Sequence, residues 1–243
     1  MTAFGGETAP SGSLGMKVIR ASGAVEPVLQ EGIDPNPWPL RPVTKRDIVR
    51  HATEQPGLPD AVNAWRQANY ARMMLAGKKV LLARFLGIPT FYGQLWLRVF
   101  RANGDVEDLG LASLRVVTNA GVAYIVDAFQ NLTELENLKY HGIGTGGTAE
   151  AVGDTALVTE STTALNPDST RATGSTTEAA ANIYRTVGTN TVDASVACTE
   201  HGIFSQAATG GGTLLDRSLF SVVNLASGDS LQTTYDFTIT AGS

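Results

Sequence analysis

SLQTTYDFTIT, residues 230–240, decides the fold class of this chain. Leu231, Thr233, Tyr235, Phe237 and Ile239 fall on one face, with mostly polar residues on the other. Side chains alternate along a strand with a period of two, so the pattern predicts a half-buried antiparallel strand. Working back towards the N-terminus, turn residues separate further short strands at about 155–160, 180–188, 192–204 and 213–224. Asn166-Pro167 and the run STRATGSTTE (169–178) read as loops. Many strands with Gly and Asn punctuation predict a β-sandwich or jelly-roll-like domain over residues 139–243. Composition agrees, because residues 141–243 hold 20 threonines and no lysine.

Residues 46–138 read as a mixed region of helices and a hairpin, which makes the whole chain α+β. Thr44 opens a short helix over 44–56. A better one spans 59–76, with Asp60 at the positive end of its dipole and Gly77 as its end. Val62, Trp65, Asn69 and Met73 fall at helical spacing, with Asn69 interrupting the apolar row. KKVLLARFLG (78–87) fits a strand or a helix. From Phe91 the period changes to two, which predicts a strand with both faces partly covered. Asn103-Gly104 predicts a hairpin turn, and a second strand follows over about 109–117. Asn119 then opens a helix with Val122, Ile125, Val126 and Phe129 on one face.

Residues 1–45 read as an extended arm. They hold six of the ten prolines, and IDPNPWPLRP (33–42) cannot be helical because each proline lacks an amide donor. Trp38 needs something to bury its indole, either its own domain or a neighbouring subunit. The arm reading favours a neighbour, with Trp38, Arg41, Lys45 and Arg46 as the expected partner contacts.

The chain has 243 residues, 43% apolar and 17% charged, which suits one large domain or two small ones. Its charge of −5 is uneven: residues 41–101 carry eleven Lys/Arg against three acids, and residues 102–243 carry five against sixteen. That asymmetry suits head-to-tail contacts or an oppositely charged partner. The basic residues are spaced rather than blocked, and no nucleic-acid module surrounds them, so nucleic acid is not an expected partner. Cys198 is the only cysteine, so no intramolecular disulfide is possible, and a reducing site of synthesis is expected. The first residues lack the basic start and apolar run of a signal peptide, and no apolar stretch has the length of a membrane span.

Candidate chemistry is sparse. Gly142, Gly144 and Gly147 match G-x-G-x-x-G, but no strand–helix unit surrounds them, so a glycine-rich turn is the expectation. His51, His141 and His201 lack metal-ligand spacing, and Cys198 reads as a small buried residue. The pairs Glu134/Glu136 and Glu107/Asp108 read as solvated surface. No nucleophile elbow or P-loop occurs. No enzyme activity, cofactor or metal is therefore expected. An enzyme assembled from distant residues and a carbohydrate-binding module remain the alternatives from other classes.

Three segments carry a family resemblance: VTNAGVAYIVDAFQN (117–131), the run from Gly142 to Leu157 with its G-D-T-A-L end, and residues 199–240. The last contains Glu200, Gly202, Ile203 and Phe204 as E-x-G-I-F, then LLDR-x-x-F from Leu214 to Phe220, then GDSL-x-x-T from Gly228 to Thr233. Their order resembles a module of tailed-bacteriophage virion structural proteins, over roughly residues 116–243. The resemblance implies a non-enzymatic head decoration (cement) protein located in the virion and assembled in the bacterial cytoplasm. Its implied partners are the major capsid protein and copies of itself, with a trimer as the implied oligomer. A tail, fibre or baseplate/adaptor component is the alternative within the same class.

Overall fold

The computed structural model describes residues 17–19, 25–27 and 59–241. The chain divides into two units, Met1–Pro39 and Leu40–Ser243. In the first, β1 (Lys17–Ile19) and β2 (Val25–Pro27) pair antiparallel. The expected arm contacts Trp38, Arg41, Lys45 and Arg46, the helix over 44–56 and His51 lie outside the described residues.

The second unit is α+β. It opens with α1 (Asp60–Phe85), a 26-residue helix that runs past Gly77, where the sequence predicted its end. Gly77 is buried inside the helix, and KKVLLARF beyond it consists mainly of good helix formers. Gly87 makes the actual stop. It takes φ +68°, the amide of Ile88 bonds to the Ala83 carbonyl at 2.9 Å, and that of Gly87 bonds to Arg84 at 3.2 Å. This is a Schellman closure, which favours glycine at the left-handed position.

Two antiparallel sheets follow. The larger has the order β4-β3-β12-β9-β6, with β8 also pairing β9. Its strands are β3 (Thr90–Phe100), β4 (Val106–Val116), β6 (Leu165–Asn166), β8 (Ser175–Ala180), β9 (Ile183–Val192) and β12 (Ser230–Thr240). The smaller has the order β11-β10-β5-β7, from β5 (Tyr140–Gly144), β7 (Ala172–Thr173), β10 (Val196–Phe204) and β11 (Leu214–Leu225). Leu95, Leu97, Val99, Leu231 and Val192 of the larger sheet pack on Ile143, Val196, Cys198, Phe220 and Val223 of the smaller. That shared core makes the unit a β-sandwich.

The hairpin at Asn103-Gly104 forms as predicted, between β3 and β4, and residues 92–97 of β3 are all buried. The predicted strand over 155–160 does not form. That stretch is a loop, touching β5 only through a bridge between Gly144 and Glu160. The strand predicted over 192–204 is β10, which starts four residues later at Val196, after β9 ends at Val192. The run 169–178 is not wholly loop, since it holds β7 and the start of β8.

α1 lies against β4 and β11. Asn69, the apparent break in its apolar row, is fully buried and accepts the Ser221 amide at 2.8 Å. Trp65 Nε1 donates to the Ser221 carbonyl at 2.8 Å. The helix thus satisfies backbone groups where β11 loses register with β10. α2 (Asn119–Phe129) is capped by Thr118, one residue before the expected Asn119, whose Oγ1 accepts the Gly121 amide at 3.0 Å.

Candidate functional site: a clamped loop, a sealed histidine layer and an apolar end

The residues that looked most like motifs converge on the outer face of the smaller sheet. Glu200 on β10 is fully buried. Its Oε1 accepts the amides of Gly146 and Thr159 at 2.9 and 2.8 Å, and its Oε2 accepts that of Val158 at 3.1 Å. Arg217 on β11 donates Nε to Glu200 Oε2 at 2.8 Å, Nη1 to Asp154 Oδ2 at 3.0 Å and Nη2 to the Thr148 carbonyl at 3.0 Å. Burial alone would lower the Arg217 pKa, but bonds to Glu200 and Asp154 outweigh it and raise the value. A buried ion pair is tolerable when its remaining hydrogen-bonding capacity is met, as here. The pair straps residues 145–160 onto the sheet.

A second clamp adjoins it. Arg171 Nε and Nη2 bond both oxygens of Glu160 at 2.6 and 3.0 Å, and its guanidinium stacks 3.5 Å over the Phe204 ring. Leu157 is buried beneath with Phe204 and Leu214, which explains an apolar run that is not a strand. The glycines follow from this crowding. A Cβ at Gly144 would lie 2.4 Å from the Thr159 carbonyl oxygen, and one at Gly146 would lie 2.4 Å from Glu200 Oε1. Gly142 and Gly144 are strand residues of β5 rather than the expected turn, and Gly147 has open space.

Between the sheets lies a polar layer. His141 Nδ1 sits 3.1 Å from His201 Nε2 and 2.7 Å from Thr233 Oγ1, and His141 Nε2 sits 3.1 Å from Thr186 Oγ1. Asn190 Nδ2 donates to the His141 carbonyl at 3.1 Å. Burial lowers the His141 pKa to about 3; burial and then the neighbouring His141 lower that of His201 well below its ordinary value. Asp216 is held by the Ser218 hydroxyl at 2.8 Å, and burial raises its pKa to about 7. Asp216 Oδ2 and the Tyr235 hydroxyl both crowd Gly93, within 2.8 Å of where a Cβ would stand. His141, His201, Asp216 and Tyr235 are all fully buried. The layer holds two neutral imidazoles and a carboxyl group away from solvent, so it acts as part of the core. Burial likewise raises the Cys198 thiol to about 12, which leaves it unreactive.

Accessible surface of unusual character occurs at one end of the sandwich. Thr90 at the start of β3 pairs with Thr240 at the end of β12, and Tyr92 pairs with Val116 at the end of β4. The C-terminus of α1 and the start of α2 therefore sit at this same end. Phe85 is 86% exposed and Phe129 83%. At this end a groove of about 940 Å³ is lined by Phe91, Tyr184, Phe237 and Ile239. Of the apolar face predicted for α2, only Ile125 is buried, while Val122, Val126 and Phe129 face solvent. The sequence places these residues on one face, and periodicity shows that a face is apolar but not what covers it.

Among the described residues, no group of three or more His, Cys, Asp or Glu side chains is arranged to hold a metal ion. No helix among them is long and apolar enough to cross a membrane. The chain matches no family model, no curated protein and no solved structure.

Proposed function

We propose that this chain is a non-catalytic structural protein of a tailed-bacteriophage virion, and that it decorates the capsid as a cement protein touching the major capsid protein and neighbouring copies. The observation that carries this reading is the exposed apolar surface of the second unit: Phe85, Phe129 and the groove lined by Phe91 and Ile239. A free-standing monomer usually limits an apolar patch to a few hundred Å². Such a surface suits a subunit that spends its working life against neighbours.

Two further features support it. Asp154, Glu200 and Arg217, from two of the segments that resemble virion proteins, serve to hold the sandwich together. A scaffold stapled in this way leaves its surface for contact. The uneven charge, basic over 41–101 and acidic over 102–243, suits subunits that meet opposite neighbours. A protein that binds the intact shell but not its disrupted form shifts the equilibrium towards the shell. An arm over residues 1–45 reaching a neighbour would add effective concentration.

The test is the copy number of this chain in purified particles relative to the major shell protein, by quantitative mass spectrometry. Hundreds of copies are expected. A handful would favour a tail, fibre or baseplate/adaptor component, and absence from particles would overturn the virion reading. Deleting residues 1–40 is expected to leave a folded sandwich that binds particles more weakly; unchanged binding would remove the arm from the proposal.

A further inference from the structure

The exposed apolar surface of the second unit has two halves of opposite charge. The first is the last two turns of α1, where Lys78, Lys79, Leu82, Phe85 and Leu86 are all exposed. Residues three, four and seven apart share a helix face, so these five form one mixed basic and apolar stripe. Arg84 and Ile88, also exposed, flank it. No acidic residue occurs between Asp60 and Asp105.

The second half is α2 and the segment after it. Val122, Val126 and Phe129 stand at the same helical spacing and are exposed, followed by exposed Leu132 and Leu135. The charges interleaved here are acidic: Glu134 and Glu136 are exposed, and Asp127 is half-buried. Ile125, at the edge of that face, and Tyr124 pack with Phe237 and Tyr184, so the helix is seated on the sandwich and the exposed stripe is what remains.

We propose that the occupant of this surface is a second copy of the same chain, with the Lys78–Leu86 stripe of one copy docked on the Val122–Leu135 stripe of the next. Two features of the molecule favour this occupant. Each half supplies the charge that the other lacks, around apolar centres of matching type. Area also suffices. At on the order of 100 Å² for each exposed aromatic or branched side chain, the two stripes together present on the order of 1,000 Å². In a two-fold pair each copy contributes both stripes, which meets the about 800 Å² that one partner of a stable interface supplies. The contact pairs unlike surfaces, and a two-fold pair engages both stripes of each copy at once. The inference deepens the self-contact part of the assembly reading and rests on it. Its own readout is the purified chain in solution, so it can fail while the copy number in particles stands, and the reverse.

The experiment is sedimentation velocity on the full chain at roughly 50 µM, a concentration that populates an interface of micromolar strength. A closed oligomer is expected, and it should weaken as salt screens the charges. Phe85→Glu and Phe129→Glu should each weaken association at least about tenfold, as for a central apolar anchor. Both side chains are exposed, so thermal melting should stay near that of the parent chain. Two charge-reversed variants supply the decisive mixture. Lys78→Glu/Lys79→Glu and Glu134→Lys/Glu136→Lys should each be monomeric alone and associate when mixed. A monomeric parent chain at this concentration would overturn the proposal, and so would particle binding by a chain that never self-associates. Failure of the mixture to associate would overturn the pairing of these two stripes.

Discussion

Arg217 Nε lies 2.8 Å from Glu200 Oε2, and the two side chains between them take up three backbone amides, one carbonyl and the Asp154 carboxylate. One ion pair thereby joins β10, β11 and the loop over 145–160. Every polar atom it buries has a partner, so its contribution is seen most clearly when half of it is removed.

Glu200→Ala strands the Arg217 guanidinium and three amides in a site closed to water. The expected cost is about 3–5 kcal/mol, the range for breaking a buried pair by deleting one partner. Urea unfolding measures it. A loss below about 1 kcal/mol, typical of an exposed pair, would contradict the assigned role.

The three glycines of the G-x-G-x-x-G match separate by crowding. Gly144→Ala drives a methyl group against the Thr159 carbonyl and should cost about 1–3 kcal/mol as overpacking. Gly147→Ala meets open space and should change stability by less than about 0.5 kcal/mol. Equal effects at the two positions would indicate that the loop is not clamped against β5.

The histidine layer makes the fold acid-sensitive. The folded-state pKa of His141 is about 3, against 6.5 for the unfolded chain, and His201 is depressed too. The unfolded chain therefore binds more protons below pH 6.5, and stability falls from there down through pH 3. His141→Gln should flatten that slope in chemical denaturation between pH 6.5 and 4. An unchanged slope would mean that the pair is not buried as described.

Asp216 acts in the opposite direction. Its folded-state pKa is raised from 3.8 to about 7, so its contribution is fully present below pH 3.8 and is lost as pH rises through 7. Asp216→Asn removes an ionising group without changing shape. The variant should gain stability relative to the parent chain between pH 5 and pH 8, read as the difference in Tm at the two values. A difference independent of pH would show that the carboxyl is not the titrating group.

Local pattern carried part of this fold a long way. The strand predicted over 230–240 is β12, Ser230–Thr240, and Leu231, Thr233 and Tyr235 are all buried. The hairpin at Asn103-Gly104 is equally legible, because the backbone twist of a tight turn depends on its own residues. The end of α1 was not. Gly77 carries the usual mark of a helix end, yet it is buried mid-helix, and the left-handed stop falls at Gly87. An apolar triplet such as Ala156-Leu157-Val158 looks like a strand, but Leu157 is buried under a loop through contacts with Phe204 and Leu214.

Local pattern specifies the class: antiparallel strands with period-two burial, a few helices, and a C-terminal sandwich. Those properties are set by neighbours two to four residues apart, where side-chain direction follows backbone geometry. Which distant residues meet is fixed by long-range packing. His141 reaches His201 across 60 residues, Trp65 reaches Ser221 across 156, and Arg217 reaches Asp154 across 63. Long-range packing also decides that the apolar faces of α1 and α2 end at solvent, because burial depends on what the rest of the chain brings to that surface.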